Sequence, residues 1–287
     1  MKSFNFFGSY SSVSYLFDLF PSIFGVSMRQ LPPSATKCIR VRRDSDDAEM
    51  DISFVNGFLN TLSLLAFVGS GSGYVVRWYN QGTGGSTYDA VQPTQVDQPR
   101  IVDSGVLETD PNTGLASPRF DLTRHLTINQ LAVDFSGVLT DRSSFVVAKE
   151  DGDFDRIAFA MGNSSTNTPF VAFFRNVNSQ TISIRDDSSS TVFLTGGGTD
   201  TDTKLLTSQL SSGTNSKILS RDGTAIDTST SDTSGTYTLD RCAIGGLLRT
   251  NFTLGLTGNI SEVIFRNEFS TLDRQGIDDN ITAYYGI

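Results

Sequence analysis

The run Lys217-Ile218-Leu219-Ser220-Arg221-Asp222-Gly223-Thr224 contains the clearest local folding signal in this chain. Asp-Gly accepts the positive φ angles that a two-residue primed turn needs, so Arg221–Thr224 predicts a β-hairpin. Other short runs rich in β-branched and aromatic residues surround it at close spacing: Ser144–Ala148, Arg156–Met161, Phe170–Arg175, Thr181–Arg185, Lys204–Leu210, Tyr237–Gly245 and Asn259–Arg266. Closely spaced strands joined by polar turns indicate a β-sandwich and not alternating βα units.

The composition favours the same all-β class. Of the 287 residues, 38% are hydrophobic and 18% charged, and 26 are glycine. Gly, Ser and Thr weaken long helices, whereas a sandwich of this length can form one domain. The net charge of 22 − 31 = −9 disfavours a nucleic-acid partner, because an acidic surface repels phosphates.

Two helices are predicted among the strands. Leu59, Leu62 and Leu65 recur at helical spacing and predict a short helix near residues 58–67. A second helix is predicted near residues 271–285. Its signals are a capping Ser270, an apolar face of Ile277, Ile281, Tyr284 and Tyr285, and a terminating Gly286.

The N-terminal segment is aromatic and irregular, with Phe4, Phe6, Phe7 and Tyr10 among its residues. These side chains require burial, either on the chain's own domain or against a neighbouring subunit. We therefore expect residues 1–14 to form an anchoring or contact segment and residues 15–287 to form one jelly-roll domain. The segment lacks an unbroken apolar run, which predicts no signal peptide, no membrane insertion and synthesis in a cytoplasm.

Few residues suit nucleophilic or metal chemistry. His125 is the only histidine, which excludes most Ser-His-Asp, Cys-His and multi-histidine sites and favours a structural role. Glu262 alternates with apolar Val263, which predicts a solvated sheet face, with a cleft as the alternative. Cys38 and Cys242 are interpreted as two buried thiols, although a disulfide stays open.

Two acidic clusters are candidate sites. Asp151, Asp153 and Asp155 resemble a fragment of a calcium loop, so a surface Ca²⁺ site is the alternative to a simple hairpin turn. No cofactor is otherwise required. The basic run Arg40–Arg43 is followed by Asp46 and Asp47 and predicts strand residues that face acidic neighbours.

Several blocks resemble a module shared by the catalytic domain of α-L-arabinofuranosidase B and by phage or environmental laminin-G-like (concanavalin A-like) jelly rolls. The blocks are Phe24–Leu31, Ile39–Glu49, Asp51–Phe54, Phe67–Gly69, Gly73–Val75, Trp78–Gln81, Asp89-Ala90, Gln98–Val102 and Gly258–Ile264. The family pattern usually reads Trp-Tyr-Asp-Gln-Ser-Gly, whereas this chain has Asn80 at the third position and Gly82 at the fifth. The neighbourhoods of the arabinofuranosidase catalytic carboxylates match nothing after residue 130.

The resemblance implies a scaffold without its catalytic activity, because activity does not travel with a fold. We therefore expect a non-enzymatic virion protein: a tail-fibre, capsid-fibre or decoration subunit, forming a homotrimer and contacting other virion subunits through residues 1–14. Host surface glycans are the expected ligand, with Trp78, Tyr79, Asn80, Gln81, Asp46 and Asp47 as candidate binding residues. The alternatives are an arabinofuranosidase-like glycoside hydrolase or depolymerase and a purely structural decoration protein.

Overall fold

A computed structural model describes residues 15–152, 156–176, 179–198 and 201–287. The predicted contact segment 1–14 lies outside these residues. The helices are α1 Leu16–Leu19, α2 Thr61–Val68, α3 Asn129–Asp134 and α4 Thr271–Tyr285. The first eleven strands are β1 Phe24–Ser27, β2 Lys37–Arg43, β3 Glu49–Val55, β4 Phe58–Leu59, β5 Gly73–Trp78, β6 Ala90–Val91, β7 Arg100–Asp103, β8 Val106–Leu107, β9 Arg119–Asp121, β10 Leu126–Thr127 and β11 Gly137–Val138.

The remaining strands form the second half of the fold. They are β12 Arg142–Glu150, β13 Arg156–Gly162, β14 Phe170–Asn176, β15 Ser179–Arg185, β16 Thr191–Gly196, β17 Lys204–Leu210, β18 Lys217–Arg221, β19 Thr224–Ser229, β20 Thr236–Tyr237, β21 Arg241–Ile244, β22 Leu247–Leu248, β23 Phe252–Thr253 and β24 Thr257–Arg266. Each pairing between these strands is antiparallel.

The strands form two layers. Layer A runs β19-β18-β17-β12-β24-β1, and layer B runs β3-β2-β5-β6-β10-β21-β13-β14-β15-β16. Strands β7 and β9 join the layers at one corner, since β7 pairs with β5 and β9 pairs with β24. The prediction of an all-β sandwich is confirmed.

The β18–β19 hairpin has the predicted turn. Strands β18 and β19 pair with Arg221 opposite Thr224, and Asp222 and Gly223 have φ angles of 47° and 78°. Positive φ at both central residues is the signature of the turn type that matches the twist of paired strands. The Asp222 side chain adds a contact by accepting a hydrogen bond from the Leu205 amide at 2.9 Å.

The apolar side chains form a main core between the layers and a smaller core on the outer face of layer A. Helix α4 closes this outer core with the buried side chains of Ile277, Ile281 and Tyr285. Ser270 accepts a hydrogen bond from the Asp273 amide, and Gly286 ends the helix with a φ of 72°. The prediction for this helix is confirmed, including both of its ends.

Helix α2 confirms the helix predicted near residues 58–67, but the leucine repeat that predicts it does not coincide with the buried face. The helix begins after Asn60, whose side chain accepts from the Ser63 amide. It buries Leu64 and Val68, whereas Leu62 is 83% exposed. Because the helix lies on the end of β2 and β3, its inward face is set by those strands and not by leucine spacing alone. No helix among the described residues is long and apolar enough to cross a membrane.

Candidate functional site

The run Trp78-Tyr79-Asn80-Gln81 lies at the end of β5 and in the loop that follows it. Trp78 is fully buried in the main core, where its indole N–H donates to the Ser27 carbonyl at 3.3 Å. Gln81 is also buried, and its amide group donates to the carbonyls of Ser27 and Arg29 and accepts from the Leu31 amide. These two side chains hold the end of β1 and the residues that follow it against β5, and they have no surface for a ligand.

Tyr79 and Asn80 reach the surface. The Asn80 carbonyl oxygen accepts from the amides of Gly25 and Gly82, both at 2.9 Å, and its amino group donates to the Gly85 carbonyl at 3.0 Å. Asn80 thus shapes the loop beside Tyr79. The Tyr79 hydroxyl donates to Asp51 Oδ1 at 2.6 Å, which fixes its ring at the rim of a cleft.

This opening, named the Tyr79 cleft, has a volume of about 510 Å³. It is polar, and both Tyr79 and Asn80 contribute to it. Its other lining residues come from the loop before β2, from β2 and β5, and from the turn before β6: Ser34, Ala35, Thr36, Lys37, Arg40, Arg77, Gly85, Ser86 and Asp89. The structure therefore brings together two of the six side chains that the sequence predicts for ligand binding.

The charges of the Tyr79 cleft are matched. Asp51 accepts from Lys37 Nζ at 2.7 Å and from Arg40 Nε at 2.6 Å, and Asp89 pairs with Arg77 at 2.8 Å. The hydrogen bond from Arg40 holds the pKa of Asp51 well below its usual range despite partial burial. Burial, followed by the hydrogen bond to Asp51, raises the pKa of Tyr79 to about 12. At neutral pH the carboxylate is ionised and the phenol is neutral.

The Tyr79 ring is flanked by cations. Lys37 Nζ lies 5.3 Å and the Arg77 guanidinium 5.7 Å from the ring centroid, both within the range of a cation–π contact. Tyr79 is only partly exposed. The cleft thus offers a rigid ring edge, three cationic donors and the serine and threonine hydroxyls of its rim.

Asp46 and Asp47 lie outside the cleft, in the turn at the other end of β2. Asp46 forms a bidentate pair with Arg43, and Asp47 bonds Arg42 at 2.7 Å. The interpretation of the basic run as strand residues with acidic partners is confirmed. Both aspartates stabilise this turn, so the structure does not bring them to Tyr79.

The predicted calcium site is only partly described, because Asp153 and Asp155 lie outside the described residues. Asp151 forms ion pairs with Arg119 and Lys149. Within the described ranges, no three His, Cys, Asp or Glu side chains are grouped so that they could hold a metal ion. The Ca²⁺ site stays a prediction.

Glu262 was expected on a solvated face, and this prediction is wrong. Glu262 is fully buried and forms a bidentate ion pair with Arg29 at 2.8 and 2.9 Å. It also accepts from the Ser27 hydroxyl at 2.7 Å and the Tyr285 hydroxyl at 3.2 Å. The alternation with Val263 is as read from the sequence, but α4 covers the face that Glu262 occupies.

The same ion pair adjoins a second opening of about 560 Å³, named the aromatic pocket. It is lined by Tyr15, Leu16, Arg29, Gln30, Asn56, Gly57, Phe58, Asn280 and Tyr284. The Phe58 ring stacks on Tyr284 at 6.2 Å, and the Arg29 guanidinium lies 4.5 Å from the Tyr284 centroid. Sequence reasoning missed this pocket, although Arg29 and Glu262 both fall in the blocks that carry the resemblance.

The remaining candidate residues are structural. His125 is buried, stacks on Phe252 at 4.2 Å, and has ring contacts to Gln92 and to the Thr123 carbonyl. Cys38 and Cys242 are buried free thiols, and burial raises the pKa of each. The interpretation of the cysteines as buried thiols is confirmed.

Comparison with known proteins finds the same fold in solved structures of arabinofuranosidases. An arabinofuranosidase complexed with arabinofuranosyl-α-1,2-xylobiose aligns over 94% of this chain and 64% of its own, with a TM-score of 0.64 and 13% identity. A GH54 α-L-arabinofuranosidase soaked with a cyclic sulfate inhibitor aligns over the same shares, with a TM-score of 0.61 and 10% identity. The chain thus spans less than two thirds of these enzymes.

A more distant likeness is to the CBM40 of a Ruminococcus gnavus sialidase bound to α2,3-sialyllactose. It covers 52% of this chain and 84% of the CBM40, at 14% identity and a TM-score of 0.42. No protein-family model and no curated protein matches the sequence. The resemblance to the arabinofuranosidase scaffold is confirmed for the fold, which is all that identities this low establish.

Proposed function

We propose that this chain is a carbohydrate-binding β-sandwich that holds a neutral, hydroxyl-rich glycan in the Tyr79 cleft. The observation that carries the proposal is the cleft itself, where a fixed aromatic side chain adjoins several oriented donors and acceptors. Sugar hydroxyls both donate and accept hydrogen bonds, so they can bind between a cation and a carboxylate without separating them. Tyr79, Lys37, Arg40 and Arg77 are the side chains expected to contact the ligand.

The charge balance favours a neutral over an acidic glycan. Each of the three cations of the cleft already has a carboxylate partner, Asp51 or Asp89. A ligand carboxylate would need to compete with these partners and would meet their charge at close range. A hydroxyl group can join the same network without displacing either member.

Binding without hydrolysis is part of the proposal. A glycosidase needs a carboxylic acid with a raised pKa beside a second carboxylate. In the Tyr79 cleft, the pKa of Asp51 is lowered, and Asp89 is held by Arg77 and by the Asn80 amide. Among the described residues, the carboxyl group whose pKa burial raises is Asp278, which lies on the buried face of α4, outside the cleft, and accepts hydrogen bonds from Thr207 and Arg274.

Glycan-array screening followed by calorimetry tests the proposal. The wild-type protein should retain neutral glycans and not their acidic counterparts. Arg40→Ala and Tyr79→Leu should each weaken binding by about tenfold or more, as expected when a charge-assisted hydrogen bond is lost. Phe58→Ala in the aromatic pocket is the matched control and should leave the affinity unchanged.

Three outcomes would contradict this assignment. The array could show no neutral glycan retained by the wild-type protein. Loss of binding in Phe58→Ala alone would move the site to the aromatic pocket. Turnover of aryl arabinofuranosides or polysaccharide that a single carboxylate substitution abolishes would favour the hydrolase alternative.

The second part of the proposal concerns where the chain is located. It rests on the sequence resemblance to phage laminin-G-like modules. In this proposal the chain is a virion subunit that forms a trimer, contacts its neighbours through residues 1–14, and requires no cofactor. Immunogold electron microscopy of purified particles should place the label on fibres or on the capsid surface. Unlabelled particles would contradict a virion location, and labelled particles that adsorb normally to glycan-stripped hosts would favour the purely structural alternative.

A further inference from the structure

Arg142 is buried inside the sandwich, at the first position of β12. In this strand the Ser143 hydroxyl donates to the Glu268 carbonyl in the loop before α4, on the outer face of layer A, so its neighbours Arg142 and Ser144 face the space between the two layers. Arg142 is 3% exposed and lies opposite Leu210 of β17. A charged side chain therefore occupies a position that an apolar residue would fill in an ordinary sandwich core.

The Arg142 guanidinium lacks partners for most of its donors. Its Nε–H donates to the Thr140 carbonyl at 3.2 Å, but Nη1 and Nη2 have no hydrogen-bond partner among the described residues. The Phe135 ring lies 5.6 Å away and interacts with the cation only through its face. Because burial without hydrogen bonds is costly for an ion, a group with four free N–H donors requires a compensating ligand.

These donors adjoin a narrow cavity between the layers, with a volume of about 20 Å³. The polar residues that line it are Arg142, Ser144, Ser208, Gln209 and Lys217. The other lining residues have apolar side chains. Lys217 is 1% exposed and donates to the carbonyls of Asn215 and Ser231. Within the described ranges, neither Arg142 nor Lys217 has a carboxylate at ion-pair distance.

We propose that this cavity binds one small monovalent anion, with chloride as the physiological candidate. The Nη1 and Nη2 groups of Arg142 are the principal donors, and the hydroxyls of Ser144 and Ser208 complete the site. Two buried cations and two hydroxyls that can turn to donate form an environment that attracts an anion.

Size and charge distinguish chloride from other occupants. A cavity of this volume admits one water molecule or one monatomic ion, and it excludes a phosphate, a carboxylate or a sugar. A water molecule would satisfy hydrogen bonds but leave the charge uncompensated. Burial lowers the pKa of Arg142 to about 10, so the guanidinium keeps its charge at neutral pH and the need for an anion persists.

Bromide substitution provides a direct test on the wild-type protein. Crystals grown in sodium bromide should show an anomalous peak within hydrogen-bond distance of Nη1 or Nη2. At equal ionic strength, the melting temperature should rise saturably by a few degrees in chloride or bromide relative to gluconate, which is too large to enter. An electron-density peak at this position without anomalous signal would identify a water molecule and overturn the proposal.

Two variants extend the test. Arg142→Met removes the charge at similar volume and should abolish the halide dependence of the melting temperature. Arg40→Met, which removes a half-exposed arginine, should preserve it. An unchanged halide effect in Arg142→Met would overturn the proposal, and if this variant fails to fold, the bromide map of the wild-type protein decides.

Discussion

Arg29 and Arg142 are both buried arginines attached to layer A, but they face opposite sides of it. Arg29 lies beneath α4, where Glu262 binds it with two hydrogen bonds and Asn280 with a third. Burial alone would lower the pKa of Arg29, yet the charge and hydrogen bonds of Glu262 raise it above its ordinary value. For Arg142, which faces the interior, burial instead dominates and lowers the pKa.

The contrast shows on which side of layer A this fold can compensate a buried charge. On the outer face of layer A, β1 and β24 pair so that Ser27 lies opposite Glu262, and the helix adds Tyr285 and Asn280. Between the layers, the opposing sheet presents apolar side chains to Arg142. A charge is therefore neutralised by the protein itself on one side and, in our proposal, by an anion on the other.

The largest effect is expected when the Arg29 pair is broken. Glu262→Gln keeps the shape of the side chain but leaves Arg29 buried without a counter-charge, which costs about 3–5 kcal/mol. Urea denaturation measures this loss in the free energy of unfolding. Glu49→Gln, at an exposed position, is the control and should change little. A loss below about 1 kcal/mol for Glu262→Gln would mean that the pair contributes no more than a surface ion pair.

An effect of opposite sign is expected at Arg142 in halide-free buffer. Arg142→Met replaces an uncompensated ion by an apolar side chain and should leave stability unchanged or increase it by about 1–4 kcal/mol. Arg29→Met is the contrast and should destabilise, since it leaves Glu262 buried alone. Thermal and urea unfolding of both variants measure the change in the free energy of unfolding. If both substitutions destabilise the protein, the proposed difference between Arg29 and Arg142 is contradicted.

The smallest effect is expected at the surface. Asp51→Asn removes the partner of Arg40 and Lys37 and should cost less than about 1 kcal/mol at pH 7, because water screens this pair. The pKa of Asp51 is lower in the folded than in the unfolded chain. Its contribution is therefore full above the unfolded value of about 4 and is lost as the pH falls further. The stability difference between wild type and Asp51→Asn should shrink below about pH 5; a constant difference would contradict this cause.

The pattern of apolar residues and turn residues predicted the local elements well. Short-range conformational preferences of neighbouring residues account for three kinds of element. These are the Asp222-Gly223 turn, helix α4 with its Ser270 cap, and the strands on either side of the turn. Trp78, a predicted binding residue, is instead fully buried in the main core. The resemblance predicted Tyr79 and Asn80 as binding residues, but no local signal predicted the cleft that they line.

Long-range contacts lay beyond the reach of sequence reasoning. Arg29 and Glu262 are 233 positions apart, and only the pairing of β1 with β24 and the docking of α4 bring them together. Leu62 shows the same limit on a smaller scale, since helical spacing cannot tell which side of α2 faces the sheet. Each case depends on which surface a neighbouring element covers.

Composition and short spacings were enough to predict the all-β class, the β18–β19 hairpin and the C-terminal helix. These properties follow from composition and from spacings of a few residues, which act within one strand, turn or helix. Tertiary packing is responsible for the burial of Glu262, for the cavity beside Arg142 and for the cleft that Tyr79 shares with Arg40 and Arg77. Burial and charge pairing depend on the side chains that pack against each sheet face, and these side chains come from residues distant in the chain.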